Sequence, residues 1–190
     1  YLQKILENAV SERDRREFEH KKHVSLLVKV DPDIPDQLLE DLVEVCANHK
    51  IEGIIATNTS TDSGLKRNLA SICKAGDGWD AQEGGVSGRP LKPVALAMVR
   101  KIYGLSRGRF PIVGVGGISS ADDAYEFIKA GACAVQLFTA LVYEGPSLVS
   151  EIKEGLVELL HRDGYTNISQ AVGADAESTH EFAEPIAIVS

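Results

Sequence analysis

The sequence predicts an α/β fold, a (β/α)8 TIM barrel to which this chain supplies about the last four βα units. Four short apolar segments, rich in β-branched residues, alternate with segments of helical periodicity, and this alternation indicates a parallel sheet. The predicted strands span residues 24–30, 53–57, 110–115 and 132–138. Polar side chains and glycines follow at their carboxyl ends, the active face of a barrel, so a barrel is favoured over a doubly wound sheet. We expect the four strands to be parallel and adjacent in that order.

Length and composition limit what the chain can be. Its 190 residues suffice for one domain with a hydrophobic core, and a formal net charge of −8 argues against a nucleic-acid partner. Cys46, Cys73 and Cys133 form no CxxC pair, which argues against disulfides and a zinc site and fits a reducing compartment. No segment approaches the roughly 20 apolar residues of a membrane span. The chain opens inside an amphipathic helix without a signal-peptide pattern, and we expect it to be part of a longer protein.

The first element is a helix, and the strand after it carries a lysine. Apolar residues recur at helical spacing at the start of the chain: Leu2, Ile5, Leu6, Ala9 and Val10. The densely charged residues 11–22 predict a solvated helix end that runs into a loop. Residues 24–30, VSLLVKV, predict a buried strand, in which a bare ammonium at Lys29 would be costly. Lys29 must therefore reach a partner or a cavity, or extend to solvent at the strand end.

The second strand ends in hydrogen-bonding side chains. The helix before it opens near Asp33 and has a clear apolar face: Leu38, Leu39, Leu42, Val43, Cys46 and Ala47. Directly after the strand come Asn58, Thr59, Ser60 and Thr61. Turn chemistry alone explains such a cluster as well as a ligand site does. Residues 63–88 form a long connection, which in compact domains is usually functional or disordered, and it finishes in the segment GGVSGRP.

A helix at residues 91–103 leads to the third strand, which ends in a glycine turn. Three glycines close this strand: Gly114, Gly116 and Gly117. Ser119 and Ser120, with Asp122 and Asp123 three residues on, both offer a helix N-cap, and Gly131 predicts the end of that helix. Backbone N–H groups at such a turn bind phosphate, although a tight βα turn without a ligand explains the same glycines. A last helix at residues 146–161 and a short docking segment at 165–174 complete the pattern.

Six motifs in order carry a resemblance to a known family: LLVKV, IIATNTS, GGVSGRPL, PIVGVGGISS, AVQLFTAL and GYTNISQAVGAD. Together they resemble the C-terminal half of the dihydroorotate dehydrogenases. The forms GVSGRP and AVGAD resemble the membrane-associated class 2 enzymes rather than the soluble class 1 enzymes. The resemblance implies an FMN-dependent oxidoreductase of pyrimidine biosynthesis that oxidises dihydroorotate to orotate and passes the electrons to ubiquinone.

The resemblance also implies roles for ten residues. Flavin contacts are implied for Lys29 and Thr57, and hydrogen bonds to orotate for Asn58 and Thr59. The remaining implied cofactor contacts are the loop residues Ser87 and Gly88 and a phosphate cradle of Gly116, Gly117, Phe138 and Thr139. A cation at Lys29 would stabilise the negative charge that a flavin gains on reduction. Phe138 stands where the family usually has tyrosine, so FMN affinity falls if that hydroxyl matters and is unchanged if only the backbone N–H is used.

No catalytic residue is assigned in this chain, because the resemblance places the catalytic serine base upstream of its first helix. We therefore expect activity only together with an N-terminal half, and membrane contact only through that half. The implied location is the mitochondrial inner membrane in a eukaryote, or the bacterial inner-membrane surface otherwise. Two alternatives stay open. One is a phosphate-binding barrel aldolase or isomerase in which Lys29 forms a Schiff base, and the other is a non-catalytic half-barrel module.

Overall fold

The computed structural model describes residues 2–74, 78 and 83–176. Its strands are β1 (Leu27–Val30), β2 (Gly53–Ala56), β3 (Ile112–Val115) and β4 (Ala134–Gln136). Its helices are α1 (Leu2–His20), α2 (Asp36–Asn48), α3 (Ser63–Cys73), α4 (Lys92–Ser106), α5 (Ala121–Lys129), α6 (Thr139–Glu144) and α7 (Ser147–Arg162). Two short 3₁₀ turns lie at Arg89–Leu91 and Ile168–Gln170.

The four strands form one parallel sheet in the order β1-β2-β3-β4. The predicted order and direction are thereby confirmed, and the arrangement agrees with part of a (β/α)8 barrel. Each strand is shorter than predicted. At the start of β1, the N–H of Leu26 donates to the Glu52 carboxylate at 2.9 Å instead of extending the ladder.

The two faces of the sheet differ in burial. In one row, Val30, Ile54 and Ile112 are buried beneath the helices, with α4 packed against β2 and β3. The other row includes Lys29 in β1 and Ala134 in β4, and both are exposed. The prediction that β1 and β4 are buried strands is therefore wrong for this second face. In a barrel this face points to the axis, where the other strands would contribute its cover.

Glycines let the helices approach the sheet closely. A Cβ at Gly114 in β3 would lie 2.5 Å from the Phe127 ring of α5, so only glycine allows this packing. Gly131 follows α5 with φ +119°, which confirms the predicted helix end, and the Tyr103 ring occupies the space of its missing side chain. Ser120 caps α5 as predicted, because its hydroxyl accepts the N–H of Asp123 at 3.1 Å.

The connections include one confirmed prediction and one addition. The charged run at residues 11–22 is a solvated helix end that runs into a loop, as predicted, since α1 continues to His20 and ion pairs such as Arg15–Glu19 at 3.0 Å span its turns. The long connection at 63–88 begins with the helix α3, capped by Asp62, whose carboxylate accepts the N–H of Leu65 at 2.6 Å. Residues 75–77 and 79–82 of this connection lie outside the described residues.

The predicted docking segment after α7 is confirmed. The N–H of Gly173 donates to the carbonyl of Ile128 at 3.1 Å, and the Tyr125 hydroxyl donates to Asp163 at 2.9 Å. Burial, together with that carboxylate, raises the pKa of Tyr125 to about 12. These contacts fix the segment on α5, away from the carboxyl ends of the strands.

Candidate functional site

A cavity of about 670 Å³ lies at the carboxyl ends of the strands. It is lined by all ten residues to which the sequence gives a site role: Lys29, Thr57, Asn58, Thr59, Ser87, Gly88, Gly116, Gly117, Phe138 and Thr139. These residues come from all four βα units, and the parallel register brings them to one edge of the sheet. The structure thus assembles the ten residues into one site, and their individual roles stay predictions.

Lys29 projects from the exposed face of β1 into this cavity. It is level with Ile55 of β2, which is level with Val113 of β3. No carboxylate of the described residues forms an ion pair with it. Of the predicted alternatives for this ammonium, the structure shows that Lys29 reaches a cavity. An unpaired cation stands in an open cavity, available to an anionic or electron-rich ligand.

The loop after β2, residues 57–61, is fixed through its backbone. The N–H of Thr57 donates to the carbonyl of Val115 at 2.8 Å, and the N–H of Asn58 donates to that of Val30 at 2.8 Å. The peptide bond between Ala56 and Thr57 is cis. Thr57 is buried, whereas the Asn58 side chain is exposed at the cavity. A rigid backbone therefore presents an amide side chain to whatever the cavity binds.

Gly116 and Gly117, which we call the phosphate turn, have φ values of +135° and +74°. A Cβ at Gly117 would lie 2.7 Å from the carbonyl oxygen of Gly88 and 3.0 Å from the backbone nitrogen of Lys92. Within the described part of the chain, nothing accepts the backbone N–H of Gly117 or of Thr139. The turn thus offers free donors in a space that a side chain would fill, which suits an anionic group.

An ion-pair network between α4 and α5 lies next to the phosphate turn. Lys92, at the start of α4, pairs with Asp123 and with Glu126 of α5, the latter at 2.9 Å. The Asp123 carboxylate also accepts the N–H and the hydroxyl of Ser119, each at 2.9 Å. Burial alone would raise the pKa of Asp123, but the hydrogen bonds from Lys92 and Ser119 outweigh it and hold the pKa below its ordinary value. The network joins α4 to α5 on either side of the turn.

Asp123→Asn should lower the free energy of unfolding by about 1–3 kcal/mol at neutral pH, because a partly buried charged hydrogen-bond acceptor is lost. A carboxylate whose pKa is depressed by folding stabilises above its unfolded pKa, and that stabilisation disappears as the pH falls through the folded pKa. Urea unfolding at neutral and strongly acidic pH should therefore show the two proteins converging in acid. Asp122→Asn, an exposed neighbour in the same helical turn, is the control. A pH-independent difference would contradict this account.

A sequence model of dihydroorotate dehydrogenase matches residues 1–160. The chain belongs to the dihydroorotate dehydrogenase family. It is 41% identical over 182 residues to the dihydroorotate dehydrogenase (quinone) of Roseiflexus castenholzii, with 93% of this chain and 47% of that protein covered. It is 36% identical over 174 residues to the mitochondrial dihydroorotate dehydrogenase (quinone) of Oryza sativa, covering 92% and 36%.

A crystal structure of the Eimeria tenella dihydroorotate dehydrogenase in complex with ferulenol superposes with a TM-score of 0.79. The two chains are 30% identical, and the superposition covers 93% of this chain and 48% of that one. This chain therefore spans about half the length, or less, of the dihydroorotate dehydrogenases it matches. The barrel fold predicted from the sequence agrees with this neighbour, and no comparison favours the aldolase alternative.

Some residues that line the cavity were not predicted from the sequence. Gln136 of β4 lies level with Val115 of β3 and is exposed to the cavity. Gln136 is a polar residue on the same face of β4 as Ala134, and this polarity could have indicated that the face is exposed. The apolar residues around it instead predicted a strand buried on both faces. Arg89 and Tyr143 also line the cavity. The place of Arg89 in the segment GVSGRP, directly after Ser87 and Gly88, is a signal that could have found it, whereas nothing in the local sequence indicates Tyr143.

Proposed function

We propose that the full-length protein carrying this chain is an FMN-dependent dihydroorotate dehydrogenase that passes electrons to ubiquinone. The observation that carries the proposal is the single cavity, in a chain of this family, that gathers all ten residues implied to bind flavin and substrate. Its volume of about 670 Å³ lies within the range usual for ligand and cofactor sites. The coverage of 47% of the Roseiflexus relative supports a second, N-terminal half that completes the barrel.

The residues present fit FMN at both ends of that cofactor. The phosphate turn and the backbone at Thr139 would receive the phosphate, because their N–H donors are free and no Cβ fits at Gly117. The hydroxyl of Thr139 donates to that of Ser87 at 3.1 Å, which ties the two loops on either side of this position. Phe138 is 77% exposed and would contribute through its backbone, so the absent tyrosine hydroxyl should cost little.

The flavin ring would lie toward β1, with Lys29 and Thr57 against it. Bound FMN supplies two-electron redox chemistry between dihydroorotate and the quinone. Asn58 and Thr59 would hold and orient dihydroorotate through its amide and carboxylate groups, because their side chains can both donate and accept. The proton-accepting base is proposed to come from the N-terminal half, together with the remaining substrate contacts.

The proposed partners are dihydroorotate or orotate, ubiquinone and the N-terminal half. Within the described residues, β1 and β4 each pair on one side only, which leaves two sheet edges for the remaining strands. The described helices include none that is both long and apolar enough to span a bilayer. A mitochondrial inner-membrane location is proposed for a eukaryotic source, in keeping with the name of the rice relative, and the bacterial inner-membrane surface otherwise.

The direct test is to purify the full-length protein and titrate it with dihydroorotate under anaerobic conditions. Bleaching of bound flavin by dihydroorotate, followed by recovery of the flavin absorbance on addition of a ubiquinone analogue, is the expected result. Residues 1–190 alone should show no turnover, since the proposal assigns the base and the rest of the barrel to the N-terminal half. A full-length protein that binds flavin but is not reduced by dihydroorotate would refute the proposed substrate. Borohydride trapping of a carbonyl substrate on Lys29 in a flavin-free protein would instead support the aldolase.

Asn58→Ala in the full-length protein should raise the KM for dihydroorotate and lower turnover, while FMN stays bound. The lost hydrogen bonds to a buried polar ligand should cost about 1–3 kcal/mol. Steady-state kinetics and the flavin-to-protein ratio measure both effects. Asn68→Ala, at an exposed position on α3, removes the same side chain away from the cavity and should leave both unchanged. Loss of flavin with unchanged kinetics per bound flavin would mean that Asn58 contacts the cofactor instead.

A further inference from the structure

The Asp33 carboxylate, in the loop between β1 and α2, holds the loop after β2. It accepts the Ser60 hydroxyl at 2.6 Å, the N–H of Thr61 at 2.6 Å and the Thr61 hydroxyl at 3.2 Å. Its own backbone N–H donates to the Asp31 carboxylate at 2.8 Å, which stiffens the Asp33 turn. Three donors from residues 60 and 61 thus converge on one charged group, and charged acceptors make the stronger hydrogen bonds.

Ser60 passes this restraint to a third loop. It is 1% exposed, and its backbone exchanges hydrogen bonds with Val86 at 3.2 and 2.7 Å in a short antiparallel bridge. Beside this bridge, the Thr59 side chain packs on Gly85 so closely that a Cβ there would lie 2.2 Å from the Thr59 hydroxyl. Ser87 and Gly88, which line the cavity, follow directly. Asp33 therefore holds the loop of Asn58 and Thr59 directly, and that loop is joined to the loop of Ser87 by backbone hydrogen bonds of its own.

We propose that Asp33 is a positioning residue for the substrate-binding pair Asn58 and Thr59, and this inference rests on the proposed function. Asp33 does not line the cavity itself, so its effect on a ligand must pass through the residues it holds. Ser60 is adjacent to Thr59 and two residues from Asn58. Without the carboxylate, the hydroxyl of a nearly fully buried serine loses its acceptor, and the loop loses its link to the first βα unit.

The restraint acts directly on the substrate side of the cavity, whereas the loop of Ser87 and Gly88 keeps its own backbone bridge between Ser60 and Val86 when the Asp33 carboxylate is removed. Thr57 is held independently by its bond to Val115, and the phosphate turn by the network of Lys92 and Asp123. None of these contacts involves Asp33. Removing its carboxylate should therefore weaken substrate binding while FMN content and flavin reduction potential stay as they were.

The test uses Asp33→Ala and Asp33→Asn in the full-length protein. Asp33→Ala should raise the KM for dihydroorotate and the Kd for orotate about tenfold, the factor that corresponds to ~1.4 kcal/mol. Asp33→Asn keeps one acceptor oxygen and should give a smaller increase. Orotate binding is read from the perturbation of the flavin absorbance spectrum, and flavin content from the absorbance ratio. Because Asp33 is exposed, neither variant removes a core side chain.

Two further variants sharpen the result. Ser60→Ala removes the same contact from its other end, so its effect on the orotate Kd and that of Asp33→Ala should be clearly less than additive in the double variant. Asp41→Asn removes an exposed carboxylate from α2 and should change nothing. Full additivity, an unchanged orotate Kd in Asp33→Ala, or loss of flavin in that variant would each overturn the inference. Failure of the unsubstituted protein to bind orotate would instead refute the proposed function, and the inference with it.

Discussion

Replacing Gly117 with alanine is expected to abolish FMN retention by the full-length protein. The φ of +74° at this residue costs an L-residue about 1–2 kcal/mol. The new Cβ would also lie 2.7 Å from the Gly88 carbonyl oxygen and 2.8 Å from the Lys92 Cβ. The first of these atoms belongs to the backbone and the second to the first turn of α4, so neither can rotate away. The turn must open, and its N–H donors then lose their aim at the phosphate.

Flavin-to-protein ratio after gel filtration and FMN titration by fluorescence quenching measure this effect. Gly164→Ala is the matched control, because Gly164 has φ +80°, a Cβ there would meet no heavy atom within 4 Å, and the residue lies after α7, away from the cavity. It carries the same backbone cost without the clash and should retain full flavin. A Gly117→Ala protein with normal FMN affinity would show that the phosphate is bound elsewhere.

Replacing Lys29 with alanine should lower the reduction potential of the bound flavin and slow its reduction by dihydroorotate. Lys29 is an exposed cation in the cavity without an ion-pair partner among the described residues. Its positive charge is therefore not neutralised by a protein carboxylate and interacts with the bound ligand. A fixed positive charge beside the flavin favours the form with added negative charge. A shift of some tens of millivolts is expected, since ~30 mV corresponds to ~1.4 kcal/mol for a two-electron couple.

Lys29→Arg should restore the potential only in part, because a planar guanidinium does not reproduce a compact ammonium charge. Lys153→Ala, at an exposed position on α7, removes one positive charge far from the cavity and should leave the potential unchanged. Spectroelectrochemistry on the three variants decides the matter. An unaltered potential in Lys29→Ala, with FMN bound, would reject the electrostatic role and leave Lys29 a purely structural residue.

The local patterns of the sequence determined the order of elements and the edge of the sheet where the site lies, and the family resemblance supplied the roles of its residues. Alternating β and α periodicity is enough to specify a parallel sheet, and parallel strands necessarily bring their carboxyl ends to one edge. For this reason Lys29, Asn58 and Gly117, which are far apart in the chain, were predicted together and lie in one cavity. The Ser120 cap and the end of α5 at Gly131 were also predictable, because each depends on neighbours within a few residues.

Only the tertiary structure decided burial and the links between loops. The apolar sequence of a strand does not reveal whether one or both faces of the sheet are covered by other elements. The exposure of Lys29, Ala134 and Gln136 could therefore not be predicted from residues 24–30 and 132–138. The helix α3 was not predicted, and the structure shows that it lies on the surface with none of its residues buried. Asp33 and Ser60 form a hydrogen bond although they are 27 positions apart in the sequence, and no local sequence pattern predicts such a contact. Sequence patterns specify which element forms, whereas contacts between distant loops depend on how the formed elements pack.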